Sequence, residues 1–353
     1  MKENDQQELL LKHIRQSSAF SPDVVKRMHD SHWLVFGGSG FVGRWLTLFG
    51  QEFSIRNQSP TMVTIVSRNP QRASAQLRSF LPRQYLVPKI ISMQEFMYDA
   101  EVFNSLENVD TIFHAATPTN RHDKSILDLP SLTSVILEKC DRLDTPKFIH
   151  LSSGGVYPRD RFLSQLISEG TKRVAVNQAV NAYQKVKVTL EQMVEVATEA
   201  GRIRGANPRL FAFAGPGFPL DAPFAFSDFL RSALMKRPIE IRGNPFTRRS
   251  YMHPLNMTEW LVSLVDQIDQ IGLDPVHIGS HIPISMFDLA TKISQEFGGV
   301  EVRSVEGGAQ NEEWYVPEVL KMRSLGCNLN LSSIETILES WVDFLAPQHS
   351  IWD

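Results

Sequence analysis

Tyr183 and Lys187 stand four residues apart in Tyr-Gln-Lys-Val-Lys, a spacing that puts both side chains on one face of a helix. A free phenol titrates near about 10, too high for ready proton exchange at neutral pH, and a neighbouring ammonium favours its phenolate. Such a pair could deliver a proton to a carbonyl oxygen while hydride arrives at the carbon. Ser152 and Ser153 close the apolar run Phe148-Ile149-His150-Leu151. A hydroxyl at a strand end could hold the same oxygen and fix its angle. A Tyr and a Lys at this spacing also occur in ordinary helices, so the surroundings must decide.

A second group lies upstream, where Gly37, Gly38, Ser39, Gly40, Phe41, Val42 and Gly43 follow Trp33-Leu34-Val35-Phe36. As a bare string these glycines make a turn. Placed between a buried strand and a helix, they let the backbone approach a pyrophosphate at the positive helix N-terminus. At the end of the second strand, where a NAD-specific site usually places an acid, the chain reads Val66-Ser67-Arg68-Asn69. A hydroxyl and a guanidinium suit a ribose 2'-phosphate, so NADP(H) is favoured, with NAD left open. Arg68 reads alternatively as a solvated loop residue, and Arg44 is a further candidate for the same phosphate. Ala115 and Ala116 end a fourth apolar run, where small side chains could admit a cofactor's ribose and nicotinamide. His114, just before them, is assigned no chemical role.

To position these groups the chain must alternate strands and helices, and its apolar pattern does so. Strands are expected at 33–38, 61–67, 85–91, 109–116 and 147–153, with helices at 41–54, 70–80, 98–106, 122–142 and 175–201; residues 208–214 then return to the sheet. Short continuous apolar runs are what strands buried on both faces look like. The expected fold class is therefore α/β, a Rossmann-type doubly wound parallel sheet with right-handed crossovers. After Gly215-Pro216-Gly217 the sequence becomes rich in Pro and Phe, with strands at 239–242, 276–279 and 300–304 and helices at 224–235, 256–268, 285–296 and 331–344. This gives an N-terminal helical extension (1–30), an NAD(P)-binding domain (31–215) and a smaller C-terminal α/β substrate lobe (216–353) that returns in part to the core. Residues 307–313 read as a mobile loop.

The 353 residues carry a formal net charge of -3 with no long charged block, so no nucleic-acid or membrane partner is expected. Cys140 and Cys327 are too few and too far apart for a disulfide framework or a Cys-rich zinc site, and no metal is expected. No apolar stretch approaches the roughly 18 to 20 residues that span a bilayer. The charged start MKENDQQELLLKHIRQ reads unlike a signal peptide, which makes the cytoplasm the expected compartment.

Taken in order, Gly-x-x-Gly-x-x-Gly, His-Ala-Ala, Ser-Ser-Gly-Gly-Val-Tyr-Pro and Tyr-x-x-x-Lys resemble the extended short-chain dehydrogenase/reductase family over nearly the whole chain. Arg209-Leu210-Phe211, Arg249-Ser250-Tyr251-Met252-His253 and Tyr315-Val316-Pro317 are further marks, similar to the nucleotide-sugar epimerases, dehydratases and ketoreductases. Residues 211–222 look most like a dTDP-4-dehydro-6-deoxyglucose reductase-like branch. The resemblance implies that Tyr183 is the acid/base, Lys187 its tuner and ribose ligand, and Ser153 the hydroxyl on the substrate oxygen. It implies Gly37, Gly40 and Gly43, with Phe41 and Val42 between them, as the pyrophosphate turn, and Arg249 as a ligand of a sugar nucleotide's diphosphate. A homodimer through the Tyr183 helix is implied too, with Val188 and Val194 read as apolar outer positions.

Three departures narrow the reading. Gly154 and Gly155 stand where 4,6-dehydratases carry an Asp-Glu pair, so elimination lacks its acid and base. Ile90-Ile91-Ser92-Met93 lacks the Asp for the adenine amine, and Leu255-Asn256 replaces an acidic pair. The expected activity is NADP(H)-dependent reduction of a nucleotide-linked 4-keto-6-deoxyhexose, in deoxysugar or surface-polysaccharide biosynthesis. The alternatives are a nucleotide-sugar 4-epimerase with tightly bound NAD and a catalytically silent NADP(H)-binding protein.

Overall fold

Trp33, Leu34, Val35 and Phe36 are all buried and form β1 (His32–Phe36). This strand is central to a six-stranded parallel sheet in the computed structural model, which describes residues 14, 17, 20–57, 61–83, 85–106, 108–118, 123–158, 165–305 and 313–345. The other members are β2 (Met62–Ser67), β3 (Lys89–Ser92), β4 (Thr111–His114), β5 (Lys147–His150) and, after the short β6 (Ser152–Ser153), β7 (Arg204–Ala206). Their spatial order is β3-β2-β1-β4-β5-β7. Strand order reverses between β1 and β4, which is where an open parallel sheet forms its ligand crevice, beyond the strands' carboxyl ends.

Alternate residues of β1 face opposite sides of the sheet. Trp33 and Val35 join Trp45 and Phe49 of the helix Phe41–Asn57, while Leu34 and Phe36 join Ile136 and Val194. Ile14, Phe20 and Met28 pack into the first of these clusters. Most of the N-terminal extension lies outside the described residues, as do residues 307–312 of the loop read as mobile.

Two differences from the sequence reading matter for the site. Residues 208–214 do not re-enter the main sheet. Arg204–Ala206 does so instead, and β8 (Pro208–Leu210) pairs with β6 and with β11 (Val276–Ile278) in a second sheet. Gly205 sits under the Tyr183 helix, where a Cβ would lie 2.2 Å from the Thr198 hydroxyl, so helix packing rather than apolarity selects β7. Val188 and Val194 are fully buried in the chain's own core and cannot be outer positions. A further element splits: Asp99 caps the N–H groups of Glu101 and Val102, giving helices Met93–Tyr98 and Ala100–Asn104 in place of one.

The chain beyond residue 213 holds a third cluster around Phe226, Phe229, Leu289 and Trp341. In it β9 (Ile239–Ile241) pairs with β13 (Val302–Ser304), and β10 (Arg248–Arg249) lies between β12 (Ile284–Ser285) and β14 (Trp314–Tyr315). Among the described residues no helix is long and apolar enough to cross a membrane, and no group of three His, Cys, Asp or Glu is placed to hold a metal ion.

Candidate active site

The glycine turn leaves β1 against the end of β4. Gly37 has φ +82°, and a Cβ there would stand 2.8 Å from the Ala115 carbonyl oxygen; a Cβ on Gly43 would stand 2.4 Å from the Gly37 carbonyl oxygen. Neither position has room for a side chain, so bare backbone faces the crevice. The helix Phe41–Asn57 then begins without an acidic residue in its first turn, leaving its positive end unneutralised for an anion.

Across the crevice, the Tyr183 helix (Ala182–Glu199) is pinned to the loop after β6. Asn181 caps it by accepting from the Gln184 N–H at 2.9 Å. The Gln184 side-chain amide donates to the carbonyls of Gly155 (2.9 Å) and Tyr157 (3.0 Å). Those two bonds bring phenol and serine together. A Cβ on Gly155 would lie 3.3 Å from Ser153 Oγ and 3.4 Å from Tyr183 Cε1, so the hydroxyl and the ring edge converge on one point. Ser153 Oγ also accepts the Gly155 N–H at 3.0 Å, which fixes the oxygen and leaves its own proton to donate.

Lys187 is buried one turn further, donating from Nζ to the Leu151 carbonyl (2.7 Å) and the Thr117 hydroxyl (2.9 Å). Beside it His114 and His150 stack edge to face at the ends of β4 and β5, with centroids 5.4 Å apart. Burial drives His114 down to about 3, and His150 well below the usual imidazole range; the Lys187 charge pushes both the same way. Both rings therefore stay neutral beside the ammonium. His114 Nε2 shares a hydrogen bond with the Thr133 hydroxyl at 2.9 Å.

Beneath these groups runs a buried polar network that the sequence reading missed. Ser152 donates to Glu191 at 2.5 Å; Arg209 grips the same carboxylate through Nε (3.0 Å) and an Nη (2.8 Å). Arg209 also donates to the Tyr157 hydroxyl at 2.8 Å, and that hydroxyl meets His277 Nε2 at 2.5 Å. Burial alone would lower the guanidinium's pKa, but the bonds to Glu191 more than offset it and raise it. Glu191 is one helical turn beyond Lys187, and Ser152 adjoins Ser153. No local signal marks this network, since its members are drawn from residues 152 to 277; Ser152, Tyr157 and Arg209 stood out singly, as parts of separate marks, and not as a network.

Gly37, Gly40, Phe41, Val42, Gly43, Ala115, Ser153, Tyr183, Lys187 and Arg249 all line one cleft of about 1600 Å³. A single drug-sized ligand needs roughly 300 to 1000 Å³, so the cleft has room for more than one. Ser67, Arg68 and Ala116 are outside its lining. Ser67 Oγ bonds with the backbone of Asn69, and Arg68 is exposed at the end of β2. Arg44 does not line the cleft either: it donates to the Gly217 carbonyl at 2.7 Å and covers the Phe80 ring at 5.0 Å, tying the glycine-turn helix to the chain beyond residue 215. Arg249, half-buried on β10, lies 5.5 Å from the Tyr315 ring and 3.7 Å from the Glu313 carboxylate. The Gly154 position is closed. A Cβ there would lie 2.6 Å from Phe211 Cζ and 2.7 Å from the Tyr315 hydroxyl, so a carboxylate side chain cannot enter without displacing both rings.

The model of the family described as NAD dependent epimerase/dehydratase matches residues 33–279. Among solved structures, UDP-glucuronic acid 4-epimerase from Bacillus cereus, in complex with UDP-glucuronic acid and NAD, has a TM-score of 0.72 at 20% identity, covering 90% of this chain and 99% of that one. The epimerase Mth375 from Methanothermobacter thermautotrophicus gives 0.74 at 19% identity, covering 94% and 96%. The enzyme WbmF of Bordetella bronchiseptica, in complex with NADH, gives 0.69 at 18%, covering 92% and 95%. Likeness at these identities shows the fold. No curated protein matches the chain by sequence.

Proposed function

The chain belongs to the NAD-dependent epimerase/dehydratase family, and on that premise we propose that it is a nucleotide-sugar 4-epimerase that keeps NAD bound through turnover. The observation that carries this reading is the convergence of Ser153 Oγ and the Tyr183 ring beside buried Lys187, with Gly154 closed to any carboxylate. The chain's own groups fit a dinucleotide: the side-chain-free turn at Gly37 and Gly43, the acid-free helix start, and an ammonium between β4 and β5. When bound, the nicotinamide supplies the hydride acceptor and donor. Tyr183 takes the proton of the sugar hydroxyl as it becomes a ketone and returns it when the alcohol re-forms. Ser153 holds that oxygen, Lys187 places a buried cation one turn along the Tyr183 helix, and Arg249 anchors the diphosphate from the lobe beyond residue 215.

A reductase of a nucleotide-linked 4-ketohexose is the second reading. Ser67 and Arg68, in place of an acid at the end of β2, favour NADPH and therefore net reduction. Cofactor retention separates the two. Purified protein should carry NAD and interconvert a sugar nucleotide with no net change at 340 nm, and Tyr183→Phe should abolish turnover while leaving NAD bound. Consumption of NADPH with a ketosugar would replace the first reading by the second; silence on every sugar nucleotide would sink both. A homodimer through the Tyr183 helix would have to use its exposed stripe of Lys185, Gln192, Val196 and Glu199, which light scattering tests.

A further inference from the structure

We propose that Gln184 is a positioning residue, whose side-chain amide clasps the site shut and sets the Ser153 hydroxyl opposite the Tyr183 phenol. This rests on the roles given to Ser153 and Tyr183 above and holds for either direction of hydride transfer. Gln184 follows the phenol directly in the chain and is 4% exposed. Its amide nitrogen donates to the Gly155 carbonyl at 2.9 Å and to the Tyr157 carbonyl at 3.0 Å, and its oxygen accepts the Val180 N–H at 2.9 Å. Only one orientation of the amide serves all three partners. The chain leaves the site at Gly155 to Tyr157 and returns to it at Val180, so one side chain closes that excursion at both ends.

Gly155 carries the effect from one catalytic group to the other. Its carbonyl is held by Gln184, while its N–H donates to Ser153 Oγ at 3.0 Å. Two hydrogen bonds thus run from the residue beside the phenol, through one glycine, to the serine oxygen. A shift of that glycine moves hydroxyl against phenol, and a misplacement of about 1 Å can cost about a hundredfold in rate. Glu, of the same length, has no donor when ionised, and Met has none at all. The excursion is also tied elsewhere: Arg173 bonds Glu195 at 2.6 and 2.7 Å, and the Val174 N–H donates to the Val156 carbonyl at 3.0 Å. Loss of the clasp therefore loosens the catalytic pair while the segment stays attached.

The test is steady-state turnover of the NAD-loaded protein with the sugar nucleotide that wild type converts, for Gln184→Met, Ser153→Ala and the double variant. Gln184→Met should lower kcat about ten- to a hundredfold, with KM within about twofold and NAD retained. Ser153→Ala should cost at least about tenfold in the wild type but no more than about threefold in the Gln184→Met background, because a displaced hydroxyl has little left to lose. Gln184→Glu is the second variant. Its activity relative to wild type should rise as pH falls from about 8 to about 6, since the protonated acid regains one donor to the carbonyls; the ratio cancels the titration of Tyr157, Tyr183 and Lys187. Additive losses, a rise in KM in place of the fall in kcat, or a ratio flat with pH would each overturn the proposal, and so would loss of fold in both variants, which would make Gln184 a structural residue. Wild type that converts no sugar nucleotide would overturn the functional reading and this one with it.

Discussion

Glu191→Gln should cost about 3 kcal/mol of stability. Removing one partner of a buried ion pair costs about 3 to 5 kcal/mol, because the other charge is left desolvated and uncompensated. Here the stranded group is Arg209, whose side chain is 4% exposed and which makes two hydrogen bonds to the fully buried carboxylate. Arg173 also touches Glu191, at 3.2 Å, but it keeps its two bonds to Glu195 and is not orphaned. Arg209 retains the Tyr157 hydroxyl and lies 4.8 Å from that ring, which holds the loss to the lower end of the range.

With an unfolding entropy of roughly 2 cal/mol/K per residue, 353 residues give about 0.7 kcal/mol/K, so the thermal midpoint should fall by about 4 °C. Thermal scans of the NAD-loaded protein at fixed ligand concentration measure this. Glu191→Leu combined with Arg209→Met removes both charges and should recover at least half of the loss, since an apolar pair can replace a buried ionic one. A single-variant loss below about 1 kcal/mol, or a double variant no better than the sum of its singles, would refute the claim that the pair is coupled. Because Glu191 grips Ser152 next to Ser153, the single variant should also lower kcat while NAD remains bound.

Acid should destabilise the protein before its carboxylates titrate. His114 and His277 are held down to about 3 by burial, and His150 is well below its ordinary value, whereas the unfolded chain protonates all three near about 6.5. Their stabilisation is present above that value and is lost as pH falls, at up to about 1.4 kcal/mol per histidine per pH unit; equal denaturation midpoints at pH 7.5 and 5.5 would contradict this. Installing a dehydratase pair, Gly154→Asp with Gly155→Glu, should yield no elimination product and should destabilise by about 1 to 3 kcal/mol as Phe211 and Tyr315 are displaced. Mass detection of a dehydrated ketosugar would count against that. Gly37→Ala meets both φ +82° and the Ala115 carbonyl, so it should release NAD from the purified protein, and full retention of NAD by mass would argue against the turn as the cofactor's seat.

The parts of the fold legible in the sequence are those whose cause is local. Strands buried on both faces write continuous apolar runs, and β1, β2, β4 and β5 were readable on that account, whereas the edge strand β3 begins at Lys89 rather than at 85. The glycine turn was readable because its steric demand falls on consecutive residues. The Tyr183 helix shows the limit of periodicity. It is covered by the sheet on one side and by Ile126, Leu129 and the Ser152 loop on others, so Val188 and Val194 look like an outer stripe yet lie in the core. Arg44 follows the phosphate turn in sequence, but its side chain reaches a carbonyl at Gly217 that no spacing rule connects to it. Tyr315 is 162 positions from Ser153, and only the β10–β14 pairing brings it to the cleft.

What the sequence conceals most completely is the place where two neighbouring strands leave the main sheet together. β5 breaks after His150 and resumes as β6 at Ser152; β7 breaks after Ala206 and resumes as β8 at Pro208. The two continuations pair with each other, Ser152↔Arg209 and Ser153↔Leu210. At the break, the Leu151 N–H still donates to His114 in the main sheet at 3.1 Å, while its carbonyl turns to accept Lys187 at 2.7 Å. A strand that ran straight on would have spent that carbonyl in the sheet ladder. The same step carries Ser153 out over the cleft and puts Ser152 on Glu191, four residues beyond Lys187. The bend in the strands is thus what gives a buried ammonium its backbone acceptor and sets the serine opposite the phenol. It depends on Arg209 and Glu191 remaining paired beneath it, which is why a stability defect at Glu191 and a rate defect at Ser153 are expected from one substitution.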